Sequence, residues 1–308
     1  MTTANTRKIP MKMRLFCAGI HAASVIAPDA MGRFALRLFA TPQKRKSSPP
    51  EHFMHGVRLP IPFGQYCLAG YMWGDGDKIA LLVHGWSGDA NDLQAFIPPL
   101  LKQGYRVVAF DAPAHGRSPG KQCDINNYAA SIRSVLKHFH PVDAIIAHSF
   151  GGAATMTTLA TYDQSAVKKV VLIGSPSDLG VMTRRFGKTI GLTDQAGEAF
   201  QHYLAQRLGR RSETFNPSTS IPATPVDGLI IHDEQDSVVP YSQGASLASQ
   251  WNSARLITTQ GLGHRRILHN DDVIQKVVAF VTHKAELPNE FAFSPEILTE
   301  KSDQTVLN

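Results

Sequence analysis

From about Gly56 onward, short apolar, β-branched runs alternate with stretches of helical periodicity, and this alternation restricts the chain to very few architectures. The runs I-A-L-L-V (79–83), R-V-V-A-F (106–110), V-D-A-I-I-A (142–147), K-V-V-L-I (169–173), G-L-I-I (228–231) and R-L-I-T-T (255–259) are read as buried strands, all but the last being apolar almost throughout. Strands of that kind lie in a parallel sheet covered on both faces. Helical patterns near 90–102, 125–138, 151–161, 241–251 and 270–283 supply the covers. Two earlier runs, Val57 to Ile61 and Gln65 to Trp73, have no helix between them and so start the sheet antiparallel. The expectation is an α/β fold with an eight-stranded, twisted, mostly parallel sheet flanked by helices.

At 308 residues the chain suits one large α/β domain carrying an insertion. Apolar residues make up 43% and charged residues 18%, enough for a substantial core and too apolar for disorder over most of the length. Residues 51–283 are expected to form the domain, and 284–308, which carry no motif, a polar tail that is partly disordered. Cys17, Cys67 and Cys123 are odd in number and far apart, so neither a disulfide framework nor a zinc cluster is readable. A reducing, cytoplasmic setting is the default expectation.

The net charge of +6 is unevenly placed. Nine of the 31 Lys and Arg fall within residues 1–50 against one acid, Asp29, and the rest of the chain is nearly neutral, so no nucleic-acid partner is expected. The charge-free stretch from Leu15 to Pro28, preceded by Arg7, Lys8, Lys12 and Arg14, has the outline of a secretory signal. Its best cleavage pattern, Val25-x-Ala27, runs straight into Pro28, however, and apolar periodicity resumes beyond it. The stretch is also too short for a membrane-spanning helix, which takes about 20 residues. Asp29 is placed to cap a second helix in which Met31, Phe34, Ala35, Leu38 and Phe39 share a face, with Arg33 and Arg37 on another. Two readings of this basic amphipathic extension stay open. One is a peripheral membrane contact through residues 11–40. The other, favoured because apolar stripes usually face a core, is a helix pair packed on the domain. Residues 41–50, T-P-Q-K-R-K-S-S-P-P, read as a linker.

Parallel sheets bind their ligands beyond the carboxyl ends of the strands. There the runs end in His84-Gly85-Trp86, Asp111-Ala112-Pro113, His148-Ser149-Phe150-Gly151-Gly152, Gly174-Ser175-Pro176 and His232-Asp233-Glu234-Gln235-Asp236, and the last strand leads into Gly261-Leu262-Gly263-His264. Ser149 falls between a strand and a helix pattern, with small residues two positions away on either side, Ala147 and Gly151, as a tight strand-to-helix turn requires. A helix N-cap is the plain alternative. The N–H of Phe150, at the start of that helix, is one natural donor to an oxyanion. A serine hydroxyl becomes a useful nucleophile only beside a base that an acid orients. His264 follows the last strand and Asp236 the one before it, giving the chain order Ser, Asp, His, with Asp233 and Glu234 as competing acids.

These motifs together resemble the α/β-hydrolase family over about residues 56–283. The resemblance implies that Ser149 is the nucleophile, His264 the base and Asp236 the acid, the last by its spacing to Val239-Pro240. It implies a second oxyanion donor in the N–H of Trp86, and structural roles for the run Asp111 to Ser118 and for His84, His115, His148 and His232. Some fifty residues separate Ile173 from Gly228, far beyond an ordinary loop of about two to six. The family inserts caps at this point, after the sixth strand, so a helical lid is expected at about 177–225, with helices near 178–190 and 194–207. Met182, Phe186 and Phe200 are its candidate pocket-lining residues, and Arg184, Arg185, Lys188, Arg207, Arg210 and Arg211 tint it basic.

Other chemistries demand spacings that are missing: there is no H-E-x-x-H, no G-x-x-x-x-G-K-[ST] and no G-x-G-x-x-G at a strand-to-helix junction. The pairs His52/His55 and His138/His140 lack a third ligand, so neither metal nor cofactor is expected. The family's dehalogenases and epoxide hydrolases carry an acidic nucleophile, and Ser149 points to acyl chemistry instead. The expected activity is hydrolysis of a carboxylic ester on a small-molecule acyl substrate. A thioesterase or peptidase on the same triad, and a non-catalytic ligand-binding module, are the alternatives.

Overall fold

The computed structural model describes residues 10–45, 47–161, 167–211 and 226–282. The tail 284–308, His283 and residues 212–225 of the expected lid lie outside them. Eight strands form one sheet: β1 (Val57–Phe63), β2 (Tyr66–Trp73), β3 (Lys78–Val83), β4 (Tyr105–Phe110), β5 (Ala144–His148), β6 (Lys169–Ile173), β7 (Asp227–Asp233) and β8 (Ala254–Thr259). Their spatial order is β1-β2-β4-β3-β5-β6-β7-β8. Only the pairs β1–β2 and β2–β4 are antiparallel among the described strands. The remaining pairs are parallel, which brings the carboxyl ends of β3, β5, β6, β7 and β8 to one edge.

Alternate side chains of the central strands feed two separate cores, because period-two geometry sends neighbours to opposite faces. Leu81, Val83, Ile145 and Ala147 pack on one face under α4 (Ile125–His138) and α5 (Phe150–Leu159). Leu82, Ile146, Val171 and Ile231 pack on the other under α3 (Ile97–Lys102) and α10 (Asp271–Thr282). The remaining helices are α1 (Met11–Ile26), α2 (Pro28–Ala40), α6 (Leu179–Ile190), α7 (Asp194–Leu208), α8 (Tyr241–Gln250) and the short α9 (Gly263–Arg266). Between β6 and β7 stand α6 and α7, closed at Gly191 and Gly209 by left-handed residues that only glycine adopts cheaply.

The N-terminal helices pack on this insertion. Gly32 lets α2 approach α7 so closely that a Cβ there would lie 2.6 Å from the Ala199 side chain. The Arg33 guanidinium sits 4.6 Å above the Tyr203 ring, and the Tyr203 hydroxyl donates to Asp29. Asp29 is not the cap of this helix, contrary to the sequence expectation. Pro28, whose fixed φ suits the first helical position, starts the helix two residues earlier, with Ala27 at the cap position, and leaves Asp29 inside the first turn, paired with Arg33. Nor does the stretch after α2 run free as a linker. The Gln43 N–H donates to Ser87 Oγ at 3.0 Å, Lys44 Nζ to the Ser118 carbonyl at 2.8 Å, and Arg45 pairs with Asp92 at 3.0 Å. These bonds strap the segment across the carboxyl edge of the sheet.

Candidate active site

β5 is followed by a residue with an unusual backbone. Ser149 has φ 54° and ψ −127°, a strained conformation for any residue with a Cβ. The strain is held because nothing bulky fits beside it: a Cβ at Gly151 would meet the His84 carbonyl oxygen at 2.2 Å, and one at Gly152 the Ser175 hydroxyl at 1.9 Å. Although Ser149 stands at the N-terminus of α5, its hydroxyl makes no capping bond. The N-cap alternative therefore fails.

The hydroxyl instead faces His264, with Ser149 Oγ 2.9 Å from Nε2, and Nδ1 of the same ring lies 2.7 Å from Asp236 Oδ2. A carboxylate only accepts, so Nδ1 carries the proton and Nε2 presents its lone pair to the serine. The Asp236 side chain is almost fully buried. Burial alone would raise its pKa, but the hydrogen bond and charge of His264, together with the Val239 and Val238 N–H groups on Oδ1, hold it below the usual carboxylate range. Asp233 serves elsewhere, accepting from Thr259 Oγ1 and the Leu262 N–H and so tying β7 to the loop that carries His264. Glu234 bonds Gln260 on the surface. Sequence position singled out Gly174 only as part of a strand end. Its φ of 56° and its place 3.3 Å, by an added Cβ, from both Asp236 Oδ2 and His264 Nδ1 make it the floor of this pair.

The loop after β3 bends back on itself through a Gly88 N–H to Gly85 carbonyl bond. His84 anchors it, donating from Nδ1 to the Gly85 carbonyl at 2.7 Å and accepting the Ala112 N–H at Nε2. Asp111, fully buried, holds the same region by accepting the Ala90 and Arg117 N–H groups. Among the described residues no acceptor engages the backbone N–H of Trp86 or of Phe150. A nucleophile with a bare base behind it and two free N–H groups beside it can attack a carbonyl and hold the resulting oxyanion.

Ser149, Trp86 and Phe150 border an apolar cavity of about 470 Å³. Met182 and Phe186 of α6 line it, as the sequence expects, but Phe200 does not. Phe200 is fully buried behind them, 5.8 Å from the Phe186 ring, where it supports the wall instead of forming it. A wall residue that sequence reasoning missed is Phe39, at the end of α2, which stacks on Trp86 at 6.1 Å and meets Phe186 edge-on at 5.1 Å. The only sequence signal was its membership of an apolar face. Of the basic insertion residues, Arg185 donates to the Ser237 carbonyl and Arg207 pairs with Asp124 at 2.9 Å.

The same architecture occurs in solved esterases. A Pyrococcus furiosus esterase superposes with a TM-score of 0.60 at 18% identity, covering 78% of this chain and 98% of that one. A Butyrivibrio proteoclasticus esterase solved with ferulic acid bound gives 0.59 at 19% identity, covering 73% and 96%. In sequence, a non-heme haloperoxidase of Rhodococcus erythropolis is 28% identical over 249 residues, 66% of this chain and 90% of its own length. A bifunctional esterase/perhydrolase of Acinetobacter calcoaceticus is 31% identical over 161 residues, 51% of this chain and 55% of its own. The profile of the Alpha/beta hydrolase family matches residues 80–279. Because that match spans more than half of the sequence, the chain belongs to the alpha/beta hydrolase family.

Proposed function

We propose that the protein hydrolyses carboxylic esters through an acyl-enzyme on Ser149. The observation that carries this reading is the pair of hydrogen bonds, 2.9 Å and 2.7 Å, running from Ser149 through His264 to Asp236 at the edge of the apolar cavity. His264 Nε2 takes the serine proton as Oγ bonds to the carbonyl carbon, and Asp236 stabilises the imidazolium. The Trp86 and Phe150 N–H groups receive the oxyanion, each donor being worth about 3 kcal/mol in the transition state. Collapse passes the proton from His264 to the departing alcohol. Water, deprotonated by the same nitrogen, then releases the acid and restores the serine. The esterase among the relatives and the esterases among the structural neighbours support an ester over a thioester or amide, which would pass through the same intermediate. Ser149→Ala is expected to abolish turnover of an activated short ester and to keep the wild-type circular dichroism spectrum. Turnover equal to wild type would remove Ser149 as the nucleophile and with it the acyl-enzyme.

The N-terminal helices support a second feature of the same reading, contact with an anionic lipid surface. Apolar side chains of α1 stand in solvent, Leu15 at 66% and Ile26 at 85% exposure, and Lys12 and Arg14, in the first turn ahead of Leu15, are exposed as well. Among the described residues no helix is long and apolar enough to cross a membrane, so the contact is peripheral. Full-length protein should sediment with phosphatidylserine-containing vesicles, and the double variant Leu15→Asp/Ile26→Asp should stay in solution. Equal sedimentation of the two would remove α1 from this role.

A further inference from the structure

Ser149 and Trp86 border a second cavity, of about 150 Å³, whose character is opposite to that of the first. Its other walls include Arg45, Asp92, His148, His264 and Arg265. Arg45 belongs to the N-terminal strap, outside the residues matched by the family profile.

His148 is the side chain that gives this cavity a use. It is 4% exposed, and its Nε2 lies 2.9 Å from the His264 carbonyl oxygen. A carbonyl only accepts, so Nε2 carries the proton and Nδ1 presents a lone pair. Burial, followed by the nearby His264, brings the His148 pKa down to about 3, which keeps the ring neutral and this tautomer in place. Among the described residues Nδ1, itself buried, has no hydrogen-bond partner. The atom lies beside Gly85, where an added Cβ would be 3.0 Å from Nδ1 and 3.0 Å from Ser149 Cβ. The His148 and His264 rings are 4.6 Å apart between centroids.

A ligand for this place must donate an O–H, be small, tolerate charged walls and reach Ser149. We propose that the cavity is an acyl-acceptor subsite for a small hydroxylic molecule, water in the hydrolytic reaction, with His148 as the residue that positions it. The inference rests on the acyl-enzyme reading above. The water donates one O–H to His264 Nε2 and the other to His148 Nδ1. As its oxygen bonds to the acyl carbon, the first proton moves to His264. The intermediate then collapses with cleavage of the bond to Ser149 Oγ, which takes that proton back. The second proton leaves with the carboxylic acid, so His148 orients the water and is never itself protonated.

Two substitutions separate this role from packing. His148→Gln retains an amide that can donate to the His264 carbonyl but removes the lone pair at the Nδ1 position. His148→Asn keeps an acceptor there and loses the tether. Each protein is carbamoylated with an aryl carbamate, which reads the first half-reaction by phenol release, and the return of esterase activity after gel filtration reads the second. In His148→Gln, carbamoylation should proceed at the wild-type rate and recovery should slow about tenfold, while His148→Asn recovers within about threefold of wild type. Equal slowing of both half-reactions, or no slowing of recovery, would overturn the proposal. On the wild-type protein, methanol should compete with water as acceptor and 1-pyrenemethanol, whose four fused rings exceed a cavity of about 150 Å³, should not; competition by both would also overturn it. Failure of an aryl carbamate to label wild type, or labelling of Ser149→Ala at the same rate, would instead sink the underlying acyl-enzyme reading.

Discussion

Three histidines in this molecule are kept neutral by burial, and together they set how it responds to acid. His115 donates from Nδ1 to the Pro113 carbonyl and is held at a pKa of about 3, mainly by burial and then by the neighbouring His84. His148 is held at about 3 in the same way, and burial also lowers His232, whose Nε2–H donates to the Val239 carbonyl. Because His232 is neutral, its 3.7 Å approach to Asp236 is a dipolar contact and not an ion pair. In the unfolded chain each of these rings takes up a proton near the ordinary value of 6.5. Between about pH 6.5 and 3 the unfolded state therefore binds more protons than the folded one, so stability is full above that window and falls as pH falls through it. The slope approaches about 1.4 kcal/mol per pH unit for His115 and again for His148, and His232 adds to it in the same direction. Urea midpoints should be level between pH 8 and 7 and drop steadily from pH 6 to 4.5. His115→Gln should show a shallower drop than wild type, and an unchanged slope in that variant would remove His115 from the account.

At the level of elements, what was legible in the sequence was what neighbouring residues dictate. Strands buried on both faces have to be nearly continuous apolar runs, so β3 to β7 are visible as such, while β8 is an edge strand with Arg255 and Thr258 exposed, and a strand-to-helix turn has to place small residues beside Ser149. The order of Ser149, Asp236 and His264 along the chain is equally open to reading, since each follows a strand. Illegible were contacts made across the chain. Nothing within ten residues of Phe39 says that it meets Phe186, and nothing near Arg45 says that it reaches Asp92 beside a cavity. Phe200 shows the converse. A helical position in the insertion gives the right element, but which face of α7 meets the cavity depends on how α2 packs against it. Asp29 failed for a local reason of a different kind: two residues compete to start α2, and the ring of Pro28 fixes φ where the Asp29 side chain offers only one bond.

Across the whole molecule, the cap over the sheet is built from segments about 150 residues apart in sequence, α2 on one side and α6 with α7 on the other, and neither closes the apolar cavity alone. The family profile begins at residue 80, so one wall of this cavity comes from a part of the chain that the profile does not cover. That arrangement makes selectivity a property of helix docking as well as of the side chains in contact with substrate. Gly32 tests it, because it lies on α2 away from the cavity and its lack of a side chain permits the close approach to Ala199 and Phe200. Gly32→Leu should force the helices apart at a cost of about 1–3 kcal/mol and carry Phe39 away from Trp86 and Phe186. Phe39→Ala removes the same wall directly. Both variants are expected to raise KM for short-chain esters by roughly threefold to tenfold with kcat nearly unchanged, the signature of binding lost equally from the ground state and the transition state. If Gly32→Leu destabilises the protein but leaves the acyl-length profile of KM untouched while Phe39→Ala alters it, α2 docking is dispensable for the wall and Phe39 is positioned by its own neighbours.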